Sequence, residues 1–171
     1  MTLEAREVEW GHPEAFELRR AMWEHYRPMF PEASAEAEAT YGGFAGVDAF
    51  VGRRAVATVL VSEDGRPLGV GSLRTAPRLG PEVGEVSKVF VVPEARGRGV
   101  ARLVMAELEA IARRQGFDRL VLDTNQGNLA AVALYENLGF EHIDPTRPDG
   151  RVSMAKSIRP ATSAGSAERA G

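Results

Sequence analysis

The stretch Glu85-Val-Ser-Lys88-Val-Phe90-Val-Val92-Pro93-Glu-Ala-Arg96-Gly-Arg-Gly99-Val-Ala101-Arg-Leu-Val104 decides how the rest of the chain is read. It begins as a strand, because Val86, Val89, Phe90, Val91 and Val92 are β-branched or aromatic and only Lys88 interrupts the apolar run. Pro93 has no N–H to give to a ladder and ends the strand. Gly97 and Gly99 allow a tight turn, and a helix follows at once. Its apolar residues Val100, Leu103, Val104, Leu108 and Ile111 recur at three- and four-residue steps. A strand, a glycine turn and a helix start form an anion site, since free N–H groups and the helix dipole both favour negative charge. Arg96, Arg98 and Arg102 add cations around it, so the expected ligand carries phosphate.

The stretch is not one of the common nucleotide loops. A P-loop requires Gly-x4-Gly-Lys-Ser/Thr, which the chain lacks, and Arg102 stands where a dinucleotide fingerprint needs its third glycine. The formal net charge of −3 argues against broad nucleic-acid affinity and makes the arginines a local device. No cysteine is present, which removes disulfides, thiolate metal sites and a thiol nucleophile. His12, His25 and His142 lack metal-ligand spacing, so no metal is expected. The first residues are charged from Glu4 onward, and no apolar run approaches the ~20 residues that cross a bilayer. A cytoplasmic protein with no membrane partner is the expectation.

Around the central stretch, Leu3 to Trp10 reads as a short edge strand with Leu3, Val8 and Trp10 as inward candidates. Pro13-Glu14 starts a helix that runs to about Arg27 before Pro28. A second helical piece spans Pro31 to Thr40, and Tyr41-Gly-Gly-Phe-Ala-Gly46 reads as a flexible loop. Ala55 to Val61 and Leu68 to Thr75 are strands joined by a hairpin turn at Asp64-Gly65. Gly69 and Gly71 suggest a bulge or a close approach. Arg119 to Thr124 is another strand, and a helix follows Asn128 with Ala131, Leu134, Tyr135 and Leu138 on one stripe, ending at Gly139. Phe140 to Ile143 and Arg151 to Ile158 close the chain as a strand pair around Pro145 to Gly150. The sequence reads as one α/β domain over residues 1–159 and a disordered, Ala/Ser/Gly-rich tail over 160–171.

Two segments carry a family resemblance. Arg96-Gly-Arg-Gly99-Val-Ala101 resembles the Gln/Arg-x-x-Gly-x-Gly/Ala pyrophosphate loop of the GCN5-related N-acetyltransferases. Thirty-two residues past Arg96, Asn128-Leu-Ala-Ala131-Val-Ala-Leu134-Tyr135-Glu-Asn-Leu-Gly139-Phe140 resembles that family's Asn-x-x-Ala-x-x-Leu-Tyr-x-x-x-Gly-Phe segment. The resemblance covers residues 55 to 158. It implies a mixed, mostly antiparallel central sheet whose middle strands splay apart, with flanking helices, and a pantetheine arm lying in the gap. Backbone groups of Phe90, Val91 and Val92 would pair with that arm. The pyrophosphate of acetyl-CoA would sit on N–H groups from about Arg98 to Arg102, and Arg96, Gly97, Arg98, Gly99, Val100, Ala101 and Arg102 would together form the co-substrate's loop. Asn128 would meet the co-substrate near its thiol, with Tyr135 close to the sulfur.

The chemistry asks for the same parts. An alkyl amine with a pKa near ~10.4 is protonated at neutral pH, and freeing its lone pair costs about 4–5 kcal/mol. A general base can take that proton. A strand N–H such as that of Val91 suits the oxyanion, and a Tyr135 hydroxyl suits the departing thiolate. Glu85 is the candidate base: it lies 11 residues before Arg96, where family members with a strand glutamate place theirs. Period-two geometry puts Glu85, Ser87, Val89 and Val91 on one face. Glu82 is its rival on the preceding loop. Tyr135 and Glu85 also have plainer readings, as a core aromatic and a solvated strand end. Trp23, Tyr26, Tyr41 and Phe44 read as packing residues, at most one or two of them lining an acceptor pocket, and Arg27 is a candidate partner for an acceptor's carboxylate. The expected activity is direct acetyl transfer from acetyl-CoA to a primary amine of a small molecule. The alternatives are a protein N-terminal or lysine acetyltransferase and a non-catalytic acyl-CoA-binding module. The family leaves a homodimer open.

Overall fold

The computed structural model describes residues 2–144 and 147–160. Fourteen residues therefore carry no structural account: Met1, two in the connection before the last strand, and 161–171. The tail expected from 160 onward lies outside the described residues except for Pro160, and so do Pro145 and Thr146 of the final turn.

A seven-stranded sheet runs in the order β1-β2-β3-β4-β5-β7-β6, built from β1 (Leu3–Val8), β2 (Ala55–Glu63), β3 (Arg66–Thr75), β4 (Val83–Val91), β5 (Arg119–Asn125), β6 (Glu141–Asp144) and β7 (Arg151–Ser157). Every neighbouring pair is antiparallel except β4 and β5. Helices α1 (Pro13–Tyr26), α2 (Pro31–Tyr41) and α3 (Phe44–Gly52) precede β2, while α4 (Val100–Arg114) and α5 (Leu129–Asn137) flank β5 in sequence. Asp64 and Gly65 both take positive φ, 50° and 77°, so β2 and β3 are joined by the tight turn that matches strand twist.

Each face of the sheet carries its own apolar cluster. Val100, Val104, Leu108 and Ile111 of α4 pack with Val59, Val61, Leu73, Val86 and Val91 on one face. Ala15 and Leu18 of α1 pack with Leu60, Val70 and Phe90 on the other. The glycines of β3 set how close α4 comes. A Cβ on Gly69 or Gly71 would overlap the side chain of Val100 or Val104, so both the close approach and an adjacent register irregularity are present.

Three sequence expectations change. The Tyr41–Gly46 segment is not a loop. Tyr41 ends α2, Gly42 and Gly43 turn the chain, and Phe44 starts α3. Tertiary contacts override the poor helix propensity of its glycines. Phe44 packs its ring 5.2 Å from Phe16 and 6.3 Å from Trp23. Asp48 meets buried Arg19 at 2.6 Å and 3.1 Å. Trp10 also lies past the end of β1 and covers the Arg19 guanidinium at 3.8 Å instead of continuing the strand inward.

The third change concerns β4. Its register with β3 passes from Val70↔Phe90 to Ser72↔Ser87, three residues opposing two, and Lys88 has φ +57°. This bulge reverses the alternation. Val86, Val89 and Val91 face α4, Phe90 faces α1, and Glu85 and Ser87 lie opposite Val86. Glu85 and Ser87 therefore do not share a face with Val89 and Val91, as an unbroken strand would have required.

Candidate active site

β4 and β5 pair in parallel only at Val83↔Arg119, Gly84↔Leu120 and Glu85↔Val121. Beyond that point β5 stays with β7 as far as Asn125↔Arg151, and β4 stays with β3. The two strands diverge, and a cavity of about 400 Å³ opens between them. Its walls are β4 from Val86 to Val91, β5 at Leu122 to Thr124, Met22 and Tyr26 of α1, and Asn128, Leu134 and Tyr135 at and within α5. One end is closed by the loop and first turn of α4.

At that end Gly97 and Gly99 have φ +76° and +83°, values that favour glycine, and Gly99 is the residue from which α4 starts. Arg96, Gly97, Gly99, Val100, Ala101 and Arg102 all line the cavity. Arg96 is locked in place: its Nε donates to the Val91 carbonyl at 3.2 Å and its Nη2 lies 3.2 Å from His25 Nε2. Burial first, and then the Arg96 charge, hold the His25 pKa below its ordinary value. A neutral His25 can accept from Arg96 without repelling it. Arg98 turns away to pair with Glu63 at 2.6 Å and does not line the cavity, so Arg96 and Arg102 are the cations the loop presents. Val92 likewise stands outside. Its N–H donates to Leu68 O at 2.9 Å, completing the β3 edge just before Pro93.

At the other end, Tyr135 is 7% exposed and its ring meets Phe140 edge-on at 5.8 Å. Burial, and then the nearby Tyr26, push its phenol well above the usual tyrosine range, so it is an O–H donor at any ordinary pH. Asn128 caps α5, its side-chain oxygen accepting from the Ala131 N–H at 3.3 Å. Its Nδ2 donates to the Tyr26 hydroxyl at 3.3 Å, which ties α1 to α5 across the cavity.

The acid–base candidates sit differently. Glu85 is the last β4 residue paired with β5, but its carboxylate accepts from Arg74 Nη2 at 2.5 Å and is not among the lining groups. Glu82 is exposed at the start of β4, on the paired side of the divergence. Arg27 is bound to Glu38 at 2.8 Å. Of the four aromatics weighed for the acceptor side, Tyr26 alone lines the cavity among the described residues. Trp23 and Phe44 pack together with tilted rings, and Tyr41 packs on Phe50 at 4.8 Å. Tyr26 and Met22 carry no local sequence signal, because their place on the cavity comes from how α1 crosses the sheet. Lys88 did carry one, as the lone charge in an apolar strand. Among the described residues no group of three or more His, Cys, Asp or Glu side chains could hold a metal, and no helix is long and apolar enough to cross a membrane.

A parallel pair that splays after Glu85 opens a cavity toward the glycine–arginine turn, and the comparisons agree on what this arrangement belongs to. The family model described as "Acetyltransferase (GNAT) family" matches residues 17–140. The chain belongs to the GNAT acetyltransferase family. An uncharacterized N-acetyltransferase, YjgM, of Escherichia coli (strain K12) is 39% identical over 87 residues, which is 50% of this GNAT chain and 51% of that protein. Mycothiol acetyltransferase of Salinispora arenicola is 46% identical over 61 residues, 35% of this chain and 20% of that one. The chain thus spans about half or less of the length of these curated relatives. The fold is that of the PaiA N-acetyltransferase of Thermoplasma acidophilum, solved in complex with coenzyme A, with a TM-score of 0.72, 17% identity, and coverage of 92% of this chain and 99% of that one. The E. coli ribosomal-protein-S18-alanine N-acetyltransferase is also similar, with a TM-score of 0.65 at 18% identity over 95% of this GNAT chain and 98% of that one.

Proposed function

We propose that this protein is an acetyl-CoA-dependent N-acetyltransferase that passes the acetyl group directly to a primary amine of a small molecule. The observation that carries this reading is the convergence of three elements on one cavity: the β4–β5 divergence after Glu85, the Gly97–Gly99 turn opening α4, and Tyr135 at the opposite wall. An extended arm fits the divergence, because β4 has lost its strand partner on that side and backbone groups there need one. A pyrophosphate fits the α4 N-terminus with Arg96 and Arg102 beside it. The arm of such a ligand supplies a thioester.

Transfer begins when an amine lone pair attacks the thioester carbonyl carbon. A β4 N–H on the side vacated by β5 receives the oxyanion. The C–S bond then breaks, and Tyr135 gives its proton to the departing thiolate. The burial that pushes the phenol up also pushes a thiolate's conjugate acid up, so the two stay matched. Glu85 takes the amine's proton through intervening water, since its carboxylate is held by Arg74 and does not line the cavity. No covalent acyl-enzyme is needed. The acceptor is small because Met22 and Tyr26 wall the cleft on the α1 side, leaving a space the size of ordinary small-molecule sites.

The test is thiol release from acetyl-CoA with a panel of amines, run in parallel on Glu85→Gln. The wild type should turn over at least one amine. The variant should bind CoA normally and turn over about 10²-fold more slowly at neutral pH, the deficit shrinking as pH rises and the amine deprotonates unaided. Intact CoA binding with no amine-dependent release would leave an acyl-CoA-binding module instead, and a deficit unchanged with pH would remove Glu85 as the base.

A further inference from the structure

Lys88 is the anomaly of the cavity. It lines the space between the strands, and it holds φ +57° at the β4 bulge, a conformation that glycine or asparagine would adopt with less strain. The backbone does not ask for lysine there. Nor do the neighbours: among the described residues the Lys88 ammonium has no hydrogen-bond or ion-pair partner. The carboxylates around it are already committed. Glu85 belongs to Arg74, and Asp48 to Arg19. Asp123, across the cavity, is held by Arg147 at 3.1 Å and by the Ser153 hydroxyl. The cations nearby, Arg74, Arg151 and Arg19, only add to the positive potential, while Asp48 opposes it. Arg151 is turned toward Asp123 at 4.0 Å.

Arg147 also pairs with Asp149 at 2.7 Å, so five cations meet the four carboxylates Glu85, Asp48, Asp123 and Asp149, and one positive charge is left over, partly withdrawn from water. Burial first, and Arg74 second, lower the Lys88 pKa, which is the sign of a cation that lacks compensation. The hydroxyl of adjacent Ser87 and the Arg74 Nε are both buried without partners. Ser87 and Lys88 both line the cavity, so two donors on its wall await an acceptor atom, while Arg74 lies outside the lining. The phosphate end cannot supply it. Arg96 and Arg102 stand beyond Val91, and the three residues from Lys88 to Val91 already span about 10 Å of strand.

We infer that Lys88, with Ser87 beside it, binds a carboxylate on the amine acceptor, so that the substrate class is amino-carboxylates and not simple amines. A single surplus charge matches a monoanion. The inference rests on the proposed acetyl transfer and narrows it: the β4 bulge turns Lys88 into the cavity, and the acceptor brings the counter-charge that the protein withholds.

The test pairs amino acids and short ω-amino acids with their carboxamides, using acetyl-CoA and thiol release, on wild type, Lys88→Met, Lys88→Asn and Lys88→Arg. Asparagine tolerates the positive φ, so that variant keeps the bulge where methionine strains it. The wild type should prefer a free carboxylate at least ten-fold in kcat/KM. Both neutral variants should lose that preference through KM, with carboxamide turnover and CoA affinity unchanged, and Lys88→Arg should keep part of it. Without ligand, Lys88→Asn should melt no lower than wild type, because it removes an uncompensated charge. Equal losses on both acceptor sets, or a wild-type preference for carboxamides, would overturn the inference. If neither set is acetylated while CoA binds, the transfer reading fails separately. Calorimetry of the same amino acids with the CoA-saturated protein then decides the carboxylate site: heat in wild type that vanishes in Lys88→Asn supports it, and no heat in wild type refutes it.

Discussion

Tyr135→Phe separates chemistry from packing at the α5 wall. The substitution removes one oxygen and leaves the ring, which packs edge-on against Phe140 within the apolar cluster that includes Leu122 and Met154. Among the described residues the Tyr135 hydroxyl makes no hydrogen bond, so none is lost and no buried partner is orphaned. Stability should therefore stay within about 0.5 kcal/mol of wild type near neutral pH. If the hydroxyl protonates the thiolate, kcat should fall about 10²–10⁴-fold, or about 3–5 kcal/mol of transition-state stabilisation, with little change in KM for acetyl-CoA. A thioester with a more acidic leaving thiol should recover part of the loss. The folded-state pKa is raised, so Tyr135 contributes stability that is present below about pH 10, where the unfolded phenol is still protonated, and that is lost as pH rises beyond it. The phenylalanine variant should lack that alkaline component when Tm is followed against pH. A variant with wild-type kcat would make Tyr135 a core residue and refute the assignment.

Two further substitutions test the frame. Gly99→Val should fold, because a Cβ there meets nothing within 4 Å, but valine at φ +83° costs about 1–2 kcal/mol and crowds the anion site. CoA affinity by calorimetry should drop at least ten-fold, and an unchanged value in a folded variant would dismiss the phosphate loop. Asp48→Asn should destabilise by about 3–5 kcal/mol in urea unfolding, since it strands the fully buried Arg19 guanidinium. Replacing both partners with Arg19→Met and Asp48→Leu should recover most of that loss, and a single-variant change below about 1 kcal/mol would contradict the docking of α3 through this pair.

Local sequence determined the parts whose cause is local. Pro93 ends β4, Gly97 and Gly99 supply two left-handed residues before α4, and Asp64-Gly65 closes the hairpin, each through backbone sterics that neighbouring residues cannot override. The three- and four-residue recurrence along α4 announced the face that buries Val100, Val104, Leu108 and Ile111. Asn128 announced itself as a cap three residues before the amide it holds. What escaped local reading depends on contacts distant in sequence. α3 forms in a glycine-bearing stretch because Phe44 and Asp48 dock on α1 residues 28 and 29 positions away. Arg98 and Arg27 look like site cations until Glu63 and Glu38 claim them. The bulge at Lys88 moved Glu85 off the face of Val89 and Val91, and no period-two pattern registers one extra residue, because side-chain alternation is counted along one strand while a bulge is defined by two. The motifs were therefore readable one at a time, but the charge balance around Lys88 exists only where α1, α3, β3, β4, β5 and β7 come together.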